Sequence, residues 1–93
     1  MDIINVKIKY SYLGNYEGGD SFIKIAFEGK NNTVYTTDKV SFNDANFIRD
    51  ILNTLEVRSW EELPRKFARI RLDGERVVAI GNLIEDKWVE VKG

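Results

Sequence analysis

Apolar and polar positions alternate along the first part of the chain. Over residues 4–12 the alternation has the period of two that is typical of a strand with one buried face. It returns over residues 21–28, where Phe22 and Ala26 indicate that the second face is also partly covered. A turn cluster of Gly and Asn follows, and then β-branched and aromatic residues. We interpret residues 21–37 as a hairpin.

The period changes in the middle of the chain. One helical stripe, at i, i+1, i+4, i+5 and i+8, is formed by Phe47, Ile48, Ile51, Leu52 and Leu55. Ser41 followed three residues later by Asp44 resembles a capping box, and Asn43 is a competing cap. This pattern predicts a helix over residues 43–55.

The remaining elements are short. One helical turn before Pro64 should place Trp60 and Leu63 on the core. Residues 66–72 and 75–83 are predicted strands, joined at the two-residue hairpin signal Asp73-Gly74, and a last short strand lies around residues 88–91.

The order of elements, β-β-β-α-β-β-β, predicts the fold class. Hairpin links everywhere except around the helix favour a curled antiparallel sheet of about five to six strands packed on one central helix, an α+β fold. Ninety-three residues without a linker or repeat indicate a single domain, residues 1–93. The hydrophobic fraction of 43% and the charged fraction of 31% argue against a disordered chain.

The hairpin at Asp73-Gly74 carries the sharpest candidate site. A two-residue turn there would place Arg71 opposite Arg76, with Arg69 on the same face. Facing like charges destabilise a sheet, so this face would favour an anion or a carboxylate. Further basic residues nearby in sequence are Arg58, Arg65 and Lys66. The alternative is a solvated outer face, paired with Glu61, Glu62 and Glu75.

The glycine-rich segment 14–20 is the second candidate site. Its glycines permit close backbone approach to a partner, Glu17 and Asp20 could contribute carboxylates, and Tyr16 is an aromatic candidate for exposure. No complete phosphate-binding or calcium-binding spacing is present. The alternative is a mobile connection.

Surplus aromatics form a third candidate for binding. The aromatics that exceed the evident needs of a thin core are Tyr10, Tyr12, Tyr16, Tyr35, Phe42, Trp60 and Trp88. They could stack on bases or fill a partner's pocket, and they are compatible with a homodimer. The alternative is that Trp60 and Trp88 cover the two ends of the core.

The composition restricts the chemistry. The chain has no cysteine and no histidine, so thiolate zinc sites, thiol nucleophiles and imidazole bases are excluded. Its only adjacent acids, Glu61-Glu62 and Glu85-Asp86, do not suggest a catalytic pair. We expect no catalytic residue, no metal and no cofactor.

The net charge of −1 gives the chain no overall attraction to nucleic acid. No apolar run is long enough for a membrane span, which favours a cytoplasmic protein without membrane contact.

Several motifs together resemble a family of short, uncharacterised bacteriophage and prophage proteins. The segments that carry the resemblance are Phe47-Ile48-Arg49-Asp50-Ile51-Leu52, Trp60-Glu61-Glu62-Leu63-Pro64 with Lys66, Val78-Ala79-Ile80-Gly81-Asn82 and Asp86-Lys87-Trp88, together with the earlier Tyr12-Leu13-Gly14. The chain departs from the family pattern in three places. Glu56 and Arg65 stand where the family has glycine, and Val89 stands where it has Phe. Without glycine at position 56, we expect an ending other than a left-handed cap for the helix.

The resemblance implies an accessory role in the cytoplasm of an infected or lysogenic bacterium. We expect a non-catalytic binding protein that inhibits an antiviral defence system. It would do so by covering the nucleic-acid-binding surface of a host defence protein or by sequestering a signal nucleotide. The alternative from the residues is a nucleic-acid-binding module that uses Phe67, Arg69 and Arg71 as an outer stripe. An enzyme acting through carboxylates is a third, less favoured hypothesis.

Overall fold

A computed structural model describes residues 2–15, 17–41 and 45–91, with residues 41 and 45 described by their backbone only. Its regular elements in chain order are β1 (Asp2–Asn15), β2 (Ser21–Glu28), β3 (Val34–Thr36), β4 (Val40–Ser41), α1 (Ala45–Leu55), β5 (Phe67–Asp73), β6 (Arg76–Gly81) and β7 (Trp88–Glu90). Single 3-10 turns lie at Lys30–Asn32 and Trp60–Glu62.

The strands form one antiparallel sheet in the order β3-β2-β1-β5-β6-β7, and β4 pairs with the outer edge of β2. The long β1 is central because its first half pairs with β5 while its second half pairs with β2. β3 approaches β6 across the sheet, whereas the end strands β3 and β7 do not pair, so the sheet is curled and open. The predicted α+β class, antiparallel pairing and single helix are confirmed for the described residues. β4 was not predicted.

β1 contains a bulge that changes which residues face the core. Ile8 pairs with Phe27, but Tyr10 pairs with Ala26, so Lys9 is the extra residue. The prediction that residues 4–12 share one buried face is therefore wrong beyond Ile8. The two tyrosines of this segment lie on the outer face, and Tyr10 is 42% exposed.

The β5–β6 hairpin differs from its prediction by its loop and by a second bulge. Asp73 pairs with Arg76, so the two loop residues are Gly74 and Glu75 rather than Asp73 and Gly74. Gly74 has a φ of 65° at the first central position, as a type II′ turn requires. The register then shifts before Arg71, which pairs with Ala79. The predicted pairing of Arg71 with Arg76 is wrong.

The helix α1 confirms the predicted stripe and ends in a left-handed cap. Glu56 has a φ of 57°, its N–H donates to the Asn53 carbonyl at 3.3 Å, and the Val57 N–H donates to the Leu52 carbonyl at 3.0 Å. These two bonds form a Schellman motif, which glycine usually completes. The expectation of a different ending was wrong. The predicted caps at residues 41, 43 and 44 lie outside the described side chains.

One core connects the helix to the concave face of the sheet. Its most enclosed members include Ile8, Phe27, Ile51, Leu55, Leu63, Ile70 and Ile80. The predicted single turn is confirmed at Trp60–Glu62, and both Trp60 and Leu63 pack on this core. Trp88 lies on the outer face instead, so only one tryptophan covers the core as predicted. No helix among the described residues combines the length and apolar character needed to cross a membrane.

Candidate binding surface

Three side chains form a layered arrangement on the outer face of the sheet, which we call the arginine–indole stack: Arg69, Trp88 and Arg71. Each guanidinium carbon lies 4.8 Å from the centroid of the Trp88 ring. The indole rests on Gly81, where an added Cβ would lie 2.6 Å from Trp88 Cε3. Glycine therefore permits the ring to lie against the strand, where it attracts both cations through its π face.

The polar contacts of the stack fix both arginines. Arg69 donates from Nε to the Asn82 carbonyl at 2.7 Å and from Nη2 to the Glu85 carbonyl at 3.0 Å. Arg71 forms an ion pair with Glu90, with 3.7 Å between Nη1 and Oε1. Arg69 thus uses two of its five N–H donors within the chain, and Arg71 is held by the indole and by one exposed ion pair. The prediction that these arginines contact an anion stays a prediction.

Arg76 lies apart from the stack. It occupies the tip of the β5–β6 hairpin, opposite Asp73, and its Nε lies 3.3 Å from Asp38 Oδ2. Both groups of this ion pair are more than half exposed. An exposed ion pair of this kind contributes little to stability. The position of Arg76 at the hairpin tip, however, places it apart from the other basic residues of the predicted site.

Arg65 and Lys66 lie at the opposite end of β5. Arg65 has a φ of 75°, so an arginine occupies a backbone conformation that favours glycine. Its N–H donates to the Ile8 carbonyl at 2.8 Å, and the Ile8 N–H donates to the Lys66 carbonyl at 2.8 Å. These bonds hold the segment against β1 while the Arg65 side chain stays exposed.

Beside these basic residues lies a group that we call the apolar patch: Phe67, Leu83 and Ile84. Their exposed fractions are 58%, 38% and 88%. All three line one shallow cavity of about 250 Å³, together with Arg65 and Lys66. Exposure of large apolar groups next to one another is uncommon away from interaction sites.

The sequence reasoning identified Phe67 as an outer-face residue but missed Leu83 and Ile84. Their position in the chain could have indicated exposure. Leu83 and Ile84 follow the end of β6 at Gly81, so their apolar side chains do not belong to the buried face of that strand. Asn82 explains their placement. Its carboxamide oxygen accepts the N–H groups of Ile84 at 2.9 Å and Glu85 at 3.0 Å.

The same buried Asn82 ties this turn to the helix. Its Nδ2 donates to the Thr54 carbonyl at 2.9 Å and to Glu56 Oε2 at 3.0 Å. With the two bonds that its oxygen accepts, both ends of the carboxamide are satisfied. The apolar patch is therefore presented by a turn that the helix end holds in place.

The glycine-rich loop does not join this surface. Lys7 pairs with Phe67, whereas Asn15 ends β1 next to the loop, and the eight residue steps from Lys7 to Asn15 span about 26 Å at the rise of a strand. Glu17 and Asp20 are exposed at this far end. The predicted Tyr16 lies outside the described residues.

No cluster of three or more potential metal ligands occurs among the described residues, and two ionisable groups have a shifted pKa. The pKa of Glu62 is lowered, mainly because the N–H groups of Arg58 and Ser59 donate to its carboxylate at 2.6 and 3.1 Å. The pKa of Lys87 is raised, mainly by its hydrogen bond to Glu85 at 2.8 Å. Both effects belong to local structure, namely a capping box and the β6–β7 turn.

Comparison with known proteins adds no further information about this surface. No family model matches the chain, and neither a curated protein nor a solved structure is significantly similar to it.

Proposed function

We propose that this chain is a non-catalytic binding protein that inhibits a bacterial antiviral defence system by covering an acidic surface of one of its proteins. The contact surface is the apolar patch with its basic rim. The choice of a defence protein as partner follows from the resemblance to short phage and prophage proteins.

The exposure of Phe67 and Ile84 is the observation that carries the proposal. Phe67 is 58% exposed and Ile84 is 88% exposed, and both line the same cavity. Complete burial of such a side chain against a partner contributes about 1.5–3 kcal/mol. Two neighbouring anchors of this kind, Phe67 at the start of β5 and Ile84 in the turn held by Asn82, match the central contacts that dominate protein–protein binding.

The charges around the patch define the partner further. Its rim contains Arg65, Lys66 and Lys7, whose Nζ lies 5.8 Å from the centroid of the Phe67 ring. Glu56 is the acidic residue that lines the same cavity. A rim with this excess of positive charge favours a partner surface that carries carboxylates, which would steer association and fix its orientation. It does not favour the nucleic-acid-binding surface expected from the sequence, because such surfaces are themselves basic.

Sequestration of a nucleotide is less favoured because the arginines predicted for it are engaged elsewhere. Arg69 donates to two backbone carbonyls, Arg71 pairs with Glu90, and Arg76 pairs with Asp38. The hairpin also pairs Arg71 with Ala79 and Arg76 with Asp73, so the facing pair of arginines that was expected to hold a phosphate is not formed.

The test uses bacterial strains that each carry a single defence system. The protein is expressed in each strain, and phage plating efficiency reports whether the defence is disabled. We expect one system to be inhibited, and the purified protein to form a complex with a component of that system in size-exclusion chromatography and calorimetry. The Phe67→Ser and Ile84→Ser variants should each weaken this complex at least about tenfold, as loss of an interface anchor does.

Leu13→Ser provides the matched control. The exposed fraction of Leu13 is 54%, close to that of Phe67. Leu13 lies in the second half of β1, however, where it lines a different cavity together with Trp60. This variant should retain full inhibition. Failure of the wild-type protein to disable any system would contradict the proposal. A nucleotide released on heating from the active protein, without a protein complex, would replace it with the sequestration mechanism.

A further inference from the structure

A groove separates the helix from the last strand of the sheet, and none of its lining residues belongs to the apolar patch. It has a volume of about 370 Å³. Its lining residues are Asn46, Phe47, Asp50, Asn53 and Thr54 on α1, and Trp88, Val89 and Glu90 on β7. β7 pairs with β6 on one side, and no described strand pairs with its other edge.

The backbone of β7 turns hydrogen-bonding groups towards this open edge. The Asn82 N–H donates to the Lys87 carbonyl at 3.0 Å, and the Val91 N–H donates to the Val78 carbonyl at 2.9 Å. Both Lys87 and Val91 are therefore turned towards β6 and its flanks. Because alternate residues of an antiparallel strand point their N–H and C=O groups to opposite sides, those of Trp88 and Glu90 point to the edge.

The side chains of the groove define what could lie there. The two charged lining residues are Asp50 and Glu90, both carboxylates, and their side chains are 51% and 76% exposed. Each forms one long, exposed ion pair, Asp50 with Arg49 at 3.9 Å and Glu90 with Arg71 at 3.7 Å, and such a pair contributes little and leaves the carboxylate accessible to a further cation. A strand added beside β7 would place alternate side chains over α1, next to Asp50, and on the outer face, next to Glu90. Basic side chains at these positions would be complementary to both.

We propose that the open edge of β7 accepts an extended peptide segment of a partner protein, rich in Lys or Arg, which adds one antiparallel or parallel strand to the sheet. Trp88 and Glu90 supply two N–H donors and two C=O acceptors for its backbone. The groove between α1 and β7 receives its inward side chains. Main-chain pairing of this type provides affinity, and the side-chain contacts provide selectivity. This surface is separate from the apolar patch and does not depend on the function proposed for it.

The test is an NMR titration of the full chain with two synthetic peptides of equal length. The probe is acetyl-Thr-Lys-Lys-Thr-Lys-Lys-Thr-amide, which carries Lys on both faces of an extended strand, and its control has Glu in place of each Lys. We expect the Lys peptide to shift the amide signals of Trp88 and Glu90 and to protect them from hydrogen exchange. The Glu peptide should bind at least about tenfold more weakly, as expected for like charges placed together.

Two variants at Glu90 separate backbone pairing from charge. Glu90→Pro removes the edge-facing N–H, which proline tolerates on an edge strand. Glu90→Gln removes the charge alone. We expect the proline variant to bind the Lys peptide about tenfold more weakly than the glutamine variant, because it loses a backbone hydrogen bond and hinders pairing of the added strand.

A helix variant keeps the test decisive if the proline variant does not fold. Asp50→Lys leaves β7 unchanged and should shift the preference from the Lys peptide to the Glu peptide. The proposal is overturned if neither peptide perturbs β7 at millimolar concentration, or if both peptides bind equally. It is also overturned if Trp88 and Glu90 amides are protected in the free protein in a concentration-dependent manner, since a second copy of the chain would then occupy the edge.

Discussion

Asn82 offers the sharpest test of how the surface is held. Its buried carboxamide makes four hydrogen bonds, to Thr54 and Glu56 at the helix end and from Ile84 and Glu85 in the β6–β7 turn. The substitution Asn82→Ala removes all four at once. It leaves the buried Thr54 carbonyl without this donor and releases the turn that presents the apolar patch.

The expected magnitude follows from these contacts. A hydrogen bond contributes about 0.5–1.5 kcal/mol net, so four of them amount to about 2–6 kcal/mol. The Ile84 and Glu85 N–H groups lie on exposed residues and can bind water in the variant, which lowers the expectation to about 3 kcal/mol. For a domain of this size, that loss corresponds to a fall in Tm of about 12–24 °C.

Urea unfolding followed by tryptophan fluorescence measures this loss directly. The free energy of unfolding of Asn82→Ala is compared with that of the wild type at an unchanged m-value. A loss below about 1 kcal/mol, smaller than one buried carbonyl left unsatisfied, would refute the reasoning that Asn82 connects the helix to the turn.

The substitution Asn82→Asp refines the test. It retains the oxygen that accepts from the turn, but it places a carboxylate next to Glu56. We expect its stability to be reduced most at neutral pH and to recover partly as acid protonates one carboxylate. Combining it with Glu56→Gln should remove most of this pH dependence, and a double-mutant cycle measures the coupling.

Three further predictions concern stability. Arg65→Gly should stabilise the fold by about 0.5–1 kcal/mol, because the relief of the positive φ exceeds the entropic cost of ordering a glycine. Arg65→Ala should not stabilise the fold, and thermal unfolding of the two variants tests the difference. Gly81→Ala should cost about 1–3 kcal/mol and alter the Trp88 fluorescence, because a Cβ displaces the indole, and the cost should disappear in a Trp88→Leu background. The lowered pKa of Glu62 implies stability that is present above its unfolded pKa and is lost as the pH falls through the folded value. In urea titrations Glu62→Gln should therefore destabilise at pH 7 and approach the wild type once the pH has fallen through the folded pKa.

Most regular elements could be predicted from the sequence because they have a clear period, whereas β4, with two residues, is too short to show one. The stripe from Phe47 to Leu55 needs only the helical repeat, and Leu63 after a short turn needs only its apolar character. The bulges could not be predicted in the same way. One extra residue at Lys9 reverses the faces of Tyr10 and Tyr12 without any break in their alternation.

The strand pairing at the hairpin site was predicted wrongly for a related reason. The Asp-Gly signal was shifted by one residue, and the bulge beside Arg71 then moved every pairing that followed. The location of the basic residues on the outer face was nevertheless correct. Their partners, which are an indole, two carbonyls and a carboxylate, come from segments distant in sequence, and no local pattern contains that information.

The two glycine departures illustrate the opposite case. The backbone at Glu56 and Arg65 keeps the left-handed conformation although neither residue is glycine. The surrounding hydrogen bonds determine the geometry, and the residues accept the strain. Both positions therefore hold the backbone conformation that glycine favours, although the residues there are Glu and Arg.

The central position of β1 has a consequence for synthesis on the ribosome. Its first half completes its pairing only with β5, about sixty residues later, whereas the β1–β2 hairpin can close early. A nascent chain therefore exposes an unpaired strand edge at Ile3–Lys7 until the second half of the sheet has been translated. Slowing translation between these segments should increase aggregation of the nascent protein.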